Sequence, residues 1–215
     1  MYKWNDFVYG VLYDINDLID DNVLVLLVGR SGSGKTTLEE TLRCVGFKSV
    51  KSYTTRPPRY EGEDSHIFIS KEEFDALENK MGYTEFNGYE YCATKEQLDE
   101  ANIYVIDPSG VEYLKEHYHG KKVFILYLNA RRSVCEKRMI DRGDKYSQMV
   151  ERLKNDDVEF NGFSYIADEI IDANVESEYV VSAFIHYYTI LRLNDHIEQL
   201  ESEVERWKNL SQKLP

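Results

Sequence analysis

The sequence predicts an α/β fold, a three-layer sandwich in which a parallel sheet lies between two layers of helices. Three observations lead to this prediction. Residues 23–28 are all apolar, as expected for a strand that is buried on both faces. They lead directly into residues 29–36, which match the phosphate-loop pattern G-x-x-x-x-G-K-[ST]. Beyond this loop, strand-like runs alternate with helix-like segments, which is typical of parallel sheets with right-handed crossovers.

The phosphate loop carries the most specific chemistry in the sequence. Its glycines allow consecutive backbone N–H groups to point at phosphate oxygens. Lys35 can then reach the outer phosphates, and the Thr36 hydroxyl can bind Mg²⁺. The loop predicts a nucleoside triphosphate site, although by itself it would also fit a GTPase, a motor or a transporter ATPase. The residues expected to bind the triphosphate are Gly29, Ser31, Gly32, Ser33, Gly34, Lys35, Thr36 and Thr37.

The elements near the loop follow from helical spacing, stop signals and prolines. Residues 1–21 carry apolar side chains at helical spacing up to an Asp-Asp-Asn break, which predicts an amphipathic N-terminal helix. Residues 36–45 predict the helix that follows the loop, with Gly46 as its C-terminal stop. A second strand is expected over residues 48–53, before two prolines force the chain to remain extended.

The rest of the domain continues the alternation of strands and helices. After a short strand at residues 67–69, Ser70 and Glu73 form a capping box that predicts a helix start, and Thr94 with Gln97 repeats this signature. The remaining predicted elements are strands over residues 103–106, 123–128 and 170–171 and helices over residues 111–118 and 131–142.

Residues 176–215 differ in character from the rest of the chain. Their apolar residues recur at alternating steps of three and four, which is the a/d pattern of a coiled coil, and glutamates flank them. The segment is therefore either a coiled coil that joins two copies into a homodimer, or a long helix packed back on its own domain, for instance against the N-terminal helix. The apolar positions are Ile190, Leu193, Ile197, Leu200, Val204 and Trp207.

Composition limits the classes of partner and location. The chain has 215 residues, 42% hydrophobic and 30% charged, which indicates a globular protein rather than a disordered one. Its formal net charge of −13, with basic residues only in local islands, argues against a nucleic-acid partner. The apolar run at residues 23–28 is too short to span a membrane. Three widely spaced cysteines, with no metal-ligand cluster and no secretory leader expected, favour a cytoplasmic location.

Residues 52–59, Ser-Tyr-Thr-Thr-Arg-Pro-Pro-Arg, resemble the loop with which the guanylate kinase family holds its acceptor monophosphate. The resemblance covers roughly residues 22–175 and leaves the two terminal helices outside it. It implies a small acceptor-binding insertion at about residues 53–95 and an arginine-bearing lid at about residues 131–155. Further matches occur at residues 62–63, 66–68, 72–74, 85, 91, 107–110 and 138–143.

By this resemblance the acceptor-binding residues are Ser52, Arg56, Arg59, Glu85, Tyr91 and Asp107. The two arginines would hold the acceptor phosphate, because guanidinium groups pair bidentately with phosphate oxygens. The tyrosine would donate its hydroxyl to the same phosphate, and the other three residues would read the base. Glu85 is expected to select guanine, since a carboxylate can accept from the N1–H and N2–H₂ groups of that base.

The resemblance also implies the reaction, which is transfer of the γ-phosphoryl group of ATP to a nucleoside monophosphate, with GMP or dGMP as the first candidates. The expected catalytic residues are Lys35, Arg56 and the lid arginines Arg138, Arg142 and Arg152. The lid would neutralise charge that spreads during transfer. Mg²⁺ would be held by Thr36, with Asp107 as a second candidate ligand. A general base is not required, because the attacking phosphate oxygen is already ionised.

The sequence departs from the family pattern on the acceptor side. His66 replaces a phosphate-binding tyrosine, Ala93 replaces a serine that contacts guanine, and Val105 replaces an aspartate near Mg²⁺. A kinase for another nucleotide or small phosphorylated acceptor on the same scaffold is therefore an alternative. A guanylate-kinase-like interaction module is a third interpretation, but such modules lack a working phosphate loop, whereas Lys35 and Thr36 are present here.

Overall fold

The computed structural model describes residues 19–58, 61–86 and 88–211. The helices of this part are α1 Lys35–Cys44, α2 Lys71–Ala76, α3 Lys95–Glu100, α4 Pro108–His117, α5 Arg132–Asp141, α6 Tyr146–Glu159 and α7 Ser177–Ser211, with a 3₁₀ turn at Phe163–Tyr165. The strands are β1 Val23–Gly29, β2 Tyr53–Thr54, β3 Ile67–Phe68, β4 Lys80–Phe86, β5 Tyr89–Thr94, β6 Ile103–Val105, β7 Lys122–Asn129 and β8 Glu169–Asp172. The predicted N-terminal helix lies almost wholly outside the described residues.

A four-stranded parallel sheet in the order β6-β1-β7-β8 forms the centre of the molecule. Strand β1 pairs in parallel with β7 over its whole length, and Val25 lies opposite Phe124. Side chains of β1 alternate between two cores: Val25 packs with residues of α1, α5, α6 and α7, and Leu26 packs with residues of α3 and α4. Helices therefore cover both faces of the sheet, and the α/β prediction is confirmed.

Burial explains why β1 is the most constrained element. Each of its six apolar side chains, at residues 23–28, is at most 1% exposed. Fully burying a Val or Leu side chain contributes about 1.5–3 kcal/mol, so this strand is a principal source of stability. Because all four strands run in the same direction, the phosphate loop emerges at their carboxyl edge, where ligands of open α/β sheets bind.

A second four-stranded sheet, in the order β3-β2-β5-β4, lies within the segment predicted as the acceptor-binding insertion. Strands β4 and β5 form an antiparallel hairpin whose register shifts between Met81 and Thr84. Gly82, in this interval, has a φ of 59°, and a Cβ there would lie 3.0 Å from Ile106 of the main domain. The Tyr113 hydroxyl of α4 also donates to the Lys80 carbonyl at 3.5 Å. These contacts join the hairpin to the carboxyl edge of the central sheet.

Local sequence signals predicted two helix starts correctly and one strand incorrectly. The capping boxes at Ser70 and Thr94 are both present at the starts of α2 and α3. The strand expected over residues 48–53 is wrong, because this segment makes one bridge to β6, between Ser49 and Ile103, before Tyr53 joins the second sheet. The Lys48 backbone N–H donates to the side-chain oxygen of Asn102 at 3.2 Å, while the Lys48 carbonyl accepts from the backbone N–H groups of Asn102 and Ile103.

Helix α7 has 35 residues and is about 50 Å long. Its first half packs on the domain, where Phe184 and Tyr188 contact the Phe47 ring at centroid distances of 5.6 and 5.2 Å. Its second half carries exposed apolar residues from Ile190 to Trp207. Across the part of the chain that the structure describes, no helix is both long enough and apolar enough to cross a membrane.

Candidate active site

The phosphate loop connects β1 to α1 and has the backbone conformation that an anion site needs. Gly32 and Gly34 have φ values of 79° and 102°, which side-chain-bearing residues rarely adopt. A Cβ on Gly32 would also lie 2.7 Å from the Cys135 carbonyl oxygen of α5. Helix α1 begins at Lys35 without a side-chain cap, so its first N–H groups are available to a phosphate.

Lys35 lies folded over the loop at the centre of the site. Its Nζ donates to the carbonyl oxygens of Gly29 and Arg30, the latter at 3.1 Å. Burial lowers the pKa of its ammonium group below the ordinary value, and the negative charge of Asp156 opposes this shift. A phosphate beside Lys35 would act in the same direction as Asp156 and favour the charged form.

A cavity of about 570 Å³, here called the donor cavity, opens beside the loop. It is lined by residues 31–38 of the loop and α1, by Ser177 and Val180 of α7, and by Arg138, Arg142 and Arg152. The three arginines come from α5, α6 and the turn between them. The structure thus brings together all three predicted lid arginines and seven of the eight predicted triphosphate-binding residues; Gly29 lines the neighbouring cavity instead.

Each lid arginine has a defined partner at the donor cavity. Arg138 donates to the Ser33 carbonyl at 3.2 Å and to the Val175 carbonyl at 2.9 Å, which ties α5 to the loop and to the start of α7. Arg142 forms two hydrogen bonds of 2.6 Å to Asp144, and these raise the pKa of its guanidinium. Arg152 lies 3.6 Å from the same carboxylate. The three guanidinium groups at this cavity are therefore held by carbonyl and carboxylate partners.

The donor cavity contains the residue that the sequence predicts as a Mg²⁺ ligand. Thr36 and Thr37 line it and are exposed, so the hydroxyl expected to bind Mg²⁺ faces the cavity. Among residues 19–58, 61–86 and 88–211, no group of three or more His, Cys, Asp or Glu side chains could hold a metal ion by itself. A magnesium ion would therefore depend on phosphate oxygens and water for most of its ligands, as Mg²⁺ commonly does.

A second cavity of about 230 Å³, here called the acceptor cavity, lies on the other side of Lys35. It shares Ser31 and Lys35 with the donor cavity. Its walls come from the carboxyl edge of the central sheet, from the β4–β5 hairpin and from α6. Its polar lining includes Ser52, His66, Thr84, Tyr91, Asp107 and Asp156.

Three of the six predicted acceptor-binding residues line the acceptor cavity, namely Ser52, Tyr91 and Asp107. The Ser52 hydroxyl lies 2.9 Å from Nδ1 of His66, and the His66 ring contacts Tyr91 edge-on at a centroid distance of 5.6 Å. The Asp107 carboxylate caps α4 by accepting from the Gly110 N–H at 2.8 Å. These contacts hold polar side chains in fixed positions around the cavity.

Arg56 does not line the acceptor cavity, because its guanidinium is bound by Glu63. The two side chains are 9% and 3% exposed and form hydrogen bonds of 2.8 and 3.2 Å. Burial lowers the pKa of Arg56, but the hydrogen bonds and charge of Glu63 outweigh it, so the pKa is raised overall. The guanidinium also lies 5.2 Å above the Phe68 ring. Within the described part of the chain, its Nε is buried and has no hydrogen-bond partner.

The structure does not bring Glu85 to the cavity. Glu85 is exposed and lies opposite Glu90 in the hairpin, and the neighbouring Thr84, which is 7% exposed, points into the cavity instead. Successive residues of a strand face opposite sides, so a shift of one residue decides which of the two faces the site. Arg59 lies outside the described residues.

Asp156 lies in the site but was not among the residues predicted from the sequence. Its carboxylate accepts the backbone N–H of Ser31 in the phosphate loop at 2.8 Å, and the residue is 7% exposed. It lies on the buried face of α6 with Met149 and Leu153. A carboxylate within an otherwise apolar helical stripe was the available signal, because such a group is rarely buried without a specific partner.

No protein-family model matches the sequence, and no curated protein has a similar sequence. Among solved structures, the crystal structure of guanylate kinase from Anaplasma phagocytophilum is similar, with a TM-score of 0.54 and 20% sequence identity. The match covers 80% of this chain and 86% of that one. This likeness shows a shared fold, in which helices flank a four-stranded parallel sheet.

Proposed function

We propose that this chain is a nucleoside monophosphate kinase that transfers the γ-phosphoryl group of ATP to GMP or dGMP. The observation that carries the proposal is the pair of adjoining cavities that share Ser31 and Lys35. A phosphoryl group that moves between two nucleotides must pass such a shared point. A GTPase or a motor needs only the triphosphate half, so the second cavity favours a two-substrate enzyme.

On the donor side, the first N–H groups of α1 and Lys35 bind the β- and γ-phosphates of ATP. Arg138, Arg142 and Arg152 surround the same cavity and stabilise the charge that spreads over the phosphoryl oxygens during transfer. Thr36 holds Mg²⁺, which when bound neutralises phosphate charge. Since catalysis of this kind depends on positioning and charge, the existing partners of the arginines lower the cost of ordering them.

On the acceptor side, Tyr91 lines the cavity and binds the acceptor phosphate, and Arg56 joins it when its guanidinium moves out of its buried position. Arg56 can turn towards the phosphate while Glu63 holds the other side of its guanidinium, or it can exchange one partner for the other. The attacking phosphate oxygen is ionised at neutral pH, so the step requires no general base.

Carboxylates select the base in this proposal, and Asp156 takes the place of the expected Glu85 beside the expected Asp107. Asp107 and Asp156 line the acceptor cavity, whereas Glu85 is exposed outside it. The carboxylates can accept from the N1–H and N2–H₂ donors of guanine, and the Thr84 hydroxyl adds an acceptor and a donor. Adenine presents no comparable pair of donors on that edge.

The proposal is tested by measuring ADP formation with ATP and a panel of GMP, dGMP, AMP, CMP, UMP and dTMP. We expect the highest kcat/KM with GMP or dGMP and little ADP formation without an acceptor. Preference for a pyrimidine monophosphate would overturn the guanine assignment but not the kinase assignment. Equal ADP formation with and without every acceptor would overturn the kinase assignment.

A kinase for another phosphorylated acceptor is the second candidate. The hydrogen bond between Ser52 and His66 favours it, because these two groups occupy cavity positions that the resemblance assigns to base and phosphate binding. Under this alternative the panel gives weak turnover with all six nucleotides, and stronger turnover with a smaller phosphorylated compound.

A further inference from the structure

The second half of α7 carries a stripe of exposed apolar side chains, here called the tail stripe. Its six members are between 41% and 70% exposed. They recur at alternating steps of three and four, so they lie along one face of the helix. A continuous apolar face of this length indicates a binding surface. The members are Ile190, Leu193, Ile197, Leu200, Val204 and Trp207.

The tail stripe faces away from the domain on which α7 packs. Phe184 and Tyr188 are buried and attach the first half of the helix to the core. Leu193 follows Phe184 by nine residues, and Ile197 follows Tyr188 by the same interval. Nine residues are two and a half helical turns, so the stripe lies on the side of α7 opposite the core contact. Another helix can therefore lie along the stripe without displacing the domain.

We propose that the tail stripe binds the tail stripe of a second copy of this chain, in a parallel two-stranded coiled coil. The residue types along the stripe select this occupant. Every a position holds a β-branched residue, namely Ile190, Ile197 and Val204. The first two d positions hold Leu193 and Leu200. β-branched residues at a with leucine at d favour two parallel strands, so the stripe is suited to pairing with itself.

Charged residues beside the tail stripe fit the parallel orientation. In a parallel pair, each g residue faces the e residue five positions later on the other helix. Glu203 at g therefore faces Lys208 at e of the second copy, and two-fold symmetry forms this pair twice. His196 and Glu201 hold the equivalent positions one heptad earlier. In an antiparallel pair with the same stripes in contact, Lys208 lies level with Thr189 and does not reach Glu203.

The attachment of α7 to the domain favours this association. Starting a new helix is unfavourable, and isolated helices shorter than about 12–15 residues are marginal in water. Here α7 runs as one helix over Ser177–Ser211, so the stripe belongs to a helix that the domain already supports. Association then buries six apolar side chains from each copy without the cost of forming a helix. Because the contact covers fewer than three heptads, we expect dimerisation to depend on protein concentration.

Sedimentation equilibrium of the full chain, from low micromolar to near-millimolar concentration, tests the association. We expect the mean mass to rise from that of one chain towards that of two. Leu200→Glu places a charge in the stripe and should keep the mass at one chain. The matched control Gln199→Glu adds the same charge at the next residue, which is exposed and lies outside the stripe, and should leave the rise unchanged. Leu200 is 48% exposed, so its variant should retain the circular dichroism spectrum of the unmodified chain.

Disulfide cross-linking tests the orientation in a background in which the exposed Cys44 is replaced by Ser, while the buried Cys92 and Cys135 are kept. In a parallel pair Val204 faces its own copy, so Val204→Cys should form a disulfide between two molecules under mild oxidation. In an antiparallel pair Val204 faces Leu193 instead, and the two introduced thiols would lie about 16 Å apart along the helix, beyond disulfide reach.

Ser202→Cys is the matched control for cross-linking, because Ser202 is exposed and lies on the outer face of the same turn. It should stay reduced under conditions that oxidise Val204→Cys. The mass of one chain at every concentration, or equal masses for the Leu200 and Gln199 variants, would overturn the dimer. Equal oxidation of the two cysteine variants, or no disulfide in Val204→Cys, would overturn its parallel orientation. Neither measurement depends on kinase activity, so the dimer and the kinase assignment can fail separately.

Discussion

Replacing Asp156 by alanine should destabilise the protein through the phosphate loop. The carboxylate accepts the Ser31 N–H at 2.8 Å and is 7% exposed, so the hydrogen bond is both charged and buried. Hydrogen bonds to charged groups contribute about 1.5–3 kcal/mol. In a protein of 215 residues this loss corresponds to a decrease in Tm of roughly 3–12 °C.

Asp157 is a matched control, because it is the next residue of the same helix and carries the same side chain. Its side chain is 41% exposed and forms ion pairs with Arg30 and Arg132. Partly exposed ion pairs contribute about 0–1 kcal/mol each, so Asp157→Ala should lower Tm by at most about 8 °C and by less than Asp156→Ala. Calorimetry or denaturant unfolding of both variants measures the difference. If Asp157→Ala were as destabilising as Asp156→Ala, the loop-anchoring role of Asp156 would be refuted.

Asp156→Ala should also change how the free energy of unfolding depends on pH. Burial lowers the pKa of Lys35 in the folded state below its ordinary 10.5, so between these two values the unfolded chain binds more protons and stability rises with pH. The charge of Asp156 limits this shift. In Asp156→Ala the pKa of Lys35 falls further, and the alkaline rise in unfolding free energy should begin at lower pH. An unchanged pH profile would mean that the two charges do not interact.

Three further predictions concern the loop and the lid. Lys35→Met should reduce kcat roughly 10²–10³-fold with an unchanged far-ultraviolet circular dichroism spectrum, and a fully active variant would contradict its role. Gly32→Ala should lower Tm more than Gly34→Ala. The Cβ added at Gly32 would lie 2.7 Å from a backbone carbonyl of α5, whereas a Cβ at Gly34 would have no atom within 4 Å. A larger loss of Tm in Gly34→Ala would show that the loop is arranged differently. Arg142→Ala should lower kcat roughly 10²–10³-fold. Arg132→Ala removes a cation of α5 that lies outside both cavities, and it should leave kcat unchanged. Equal losses of kcat in the two variants would argue against a specific role for Arg142.

Local sequence patterns could predict the backbone geometry of the phosphate loop, because that geometry depends on residues close together in the chain. The buried strand at residues 23–28 and the glycines of the loop lie within one short stretch, and the backbone conformation of Gly32 and Gly34 follows from their type. The capping boxes at Ser70 and Thr94 are equally local, since each joins residues three positions apart.

The acceptor half could not be predicted to the same depth, because it depends on long-range contacts and strand register. The bond from Ser31 to Asp156 joins residues 125 positions apart, and no local pattern specifies it. The register shift between Met81 and Thr84 precedes Glu85 on the same strand, and a single step along a strand reverses the face that a residue presents. The ion pair between Arg56 and Glu63 is close in sequence, yet charge alone does not distinguish it from a surface pair.

Phosphoryl transfer between two nucleotides can be tested by following both products in one reaction. Phosphorus NMR of the protein with MgATP and GMP resolves ADP, GDP and inorganic phosphate separately. We expect ADP and GDP to form in equal amounts, with little inorganic phosphate, and both signals to disappear in Lys35→Met. Formation of ADP with an equal amount of inorganic phosphate and no GDP would contradict it.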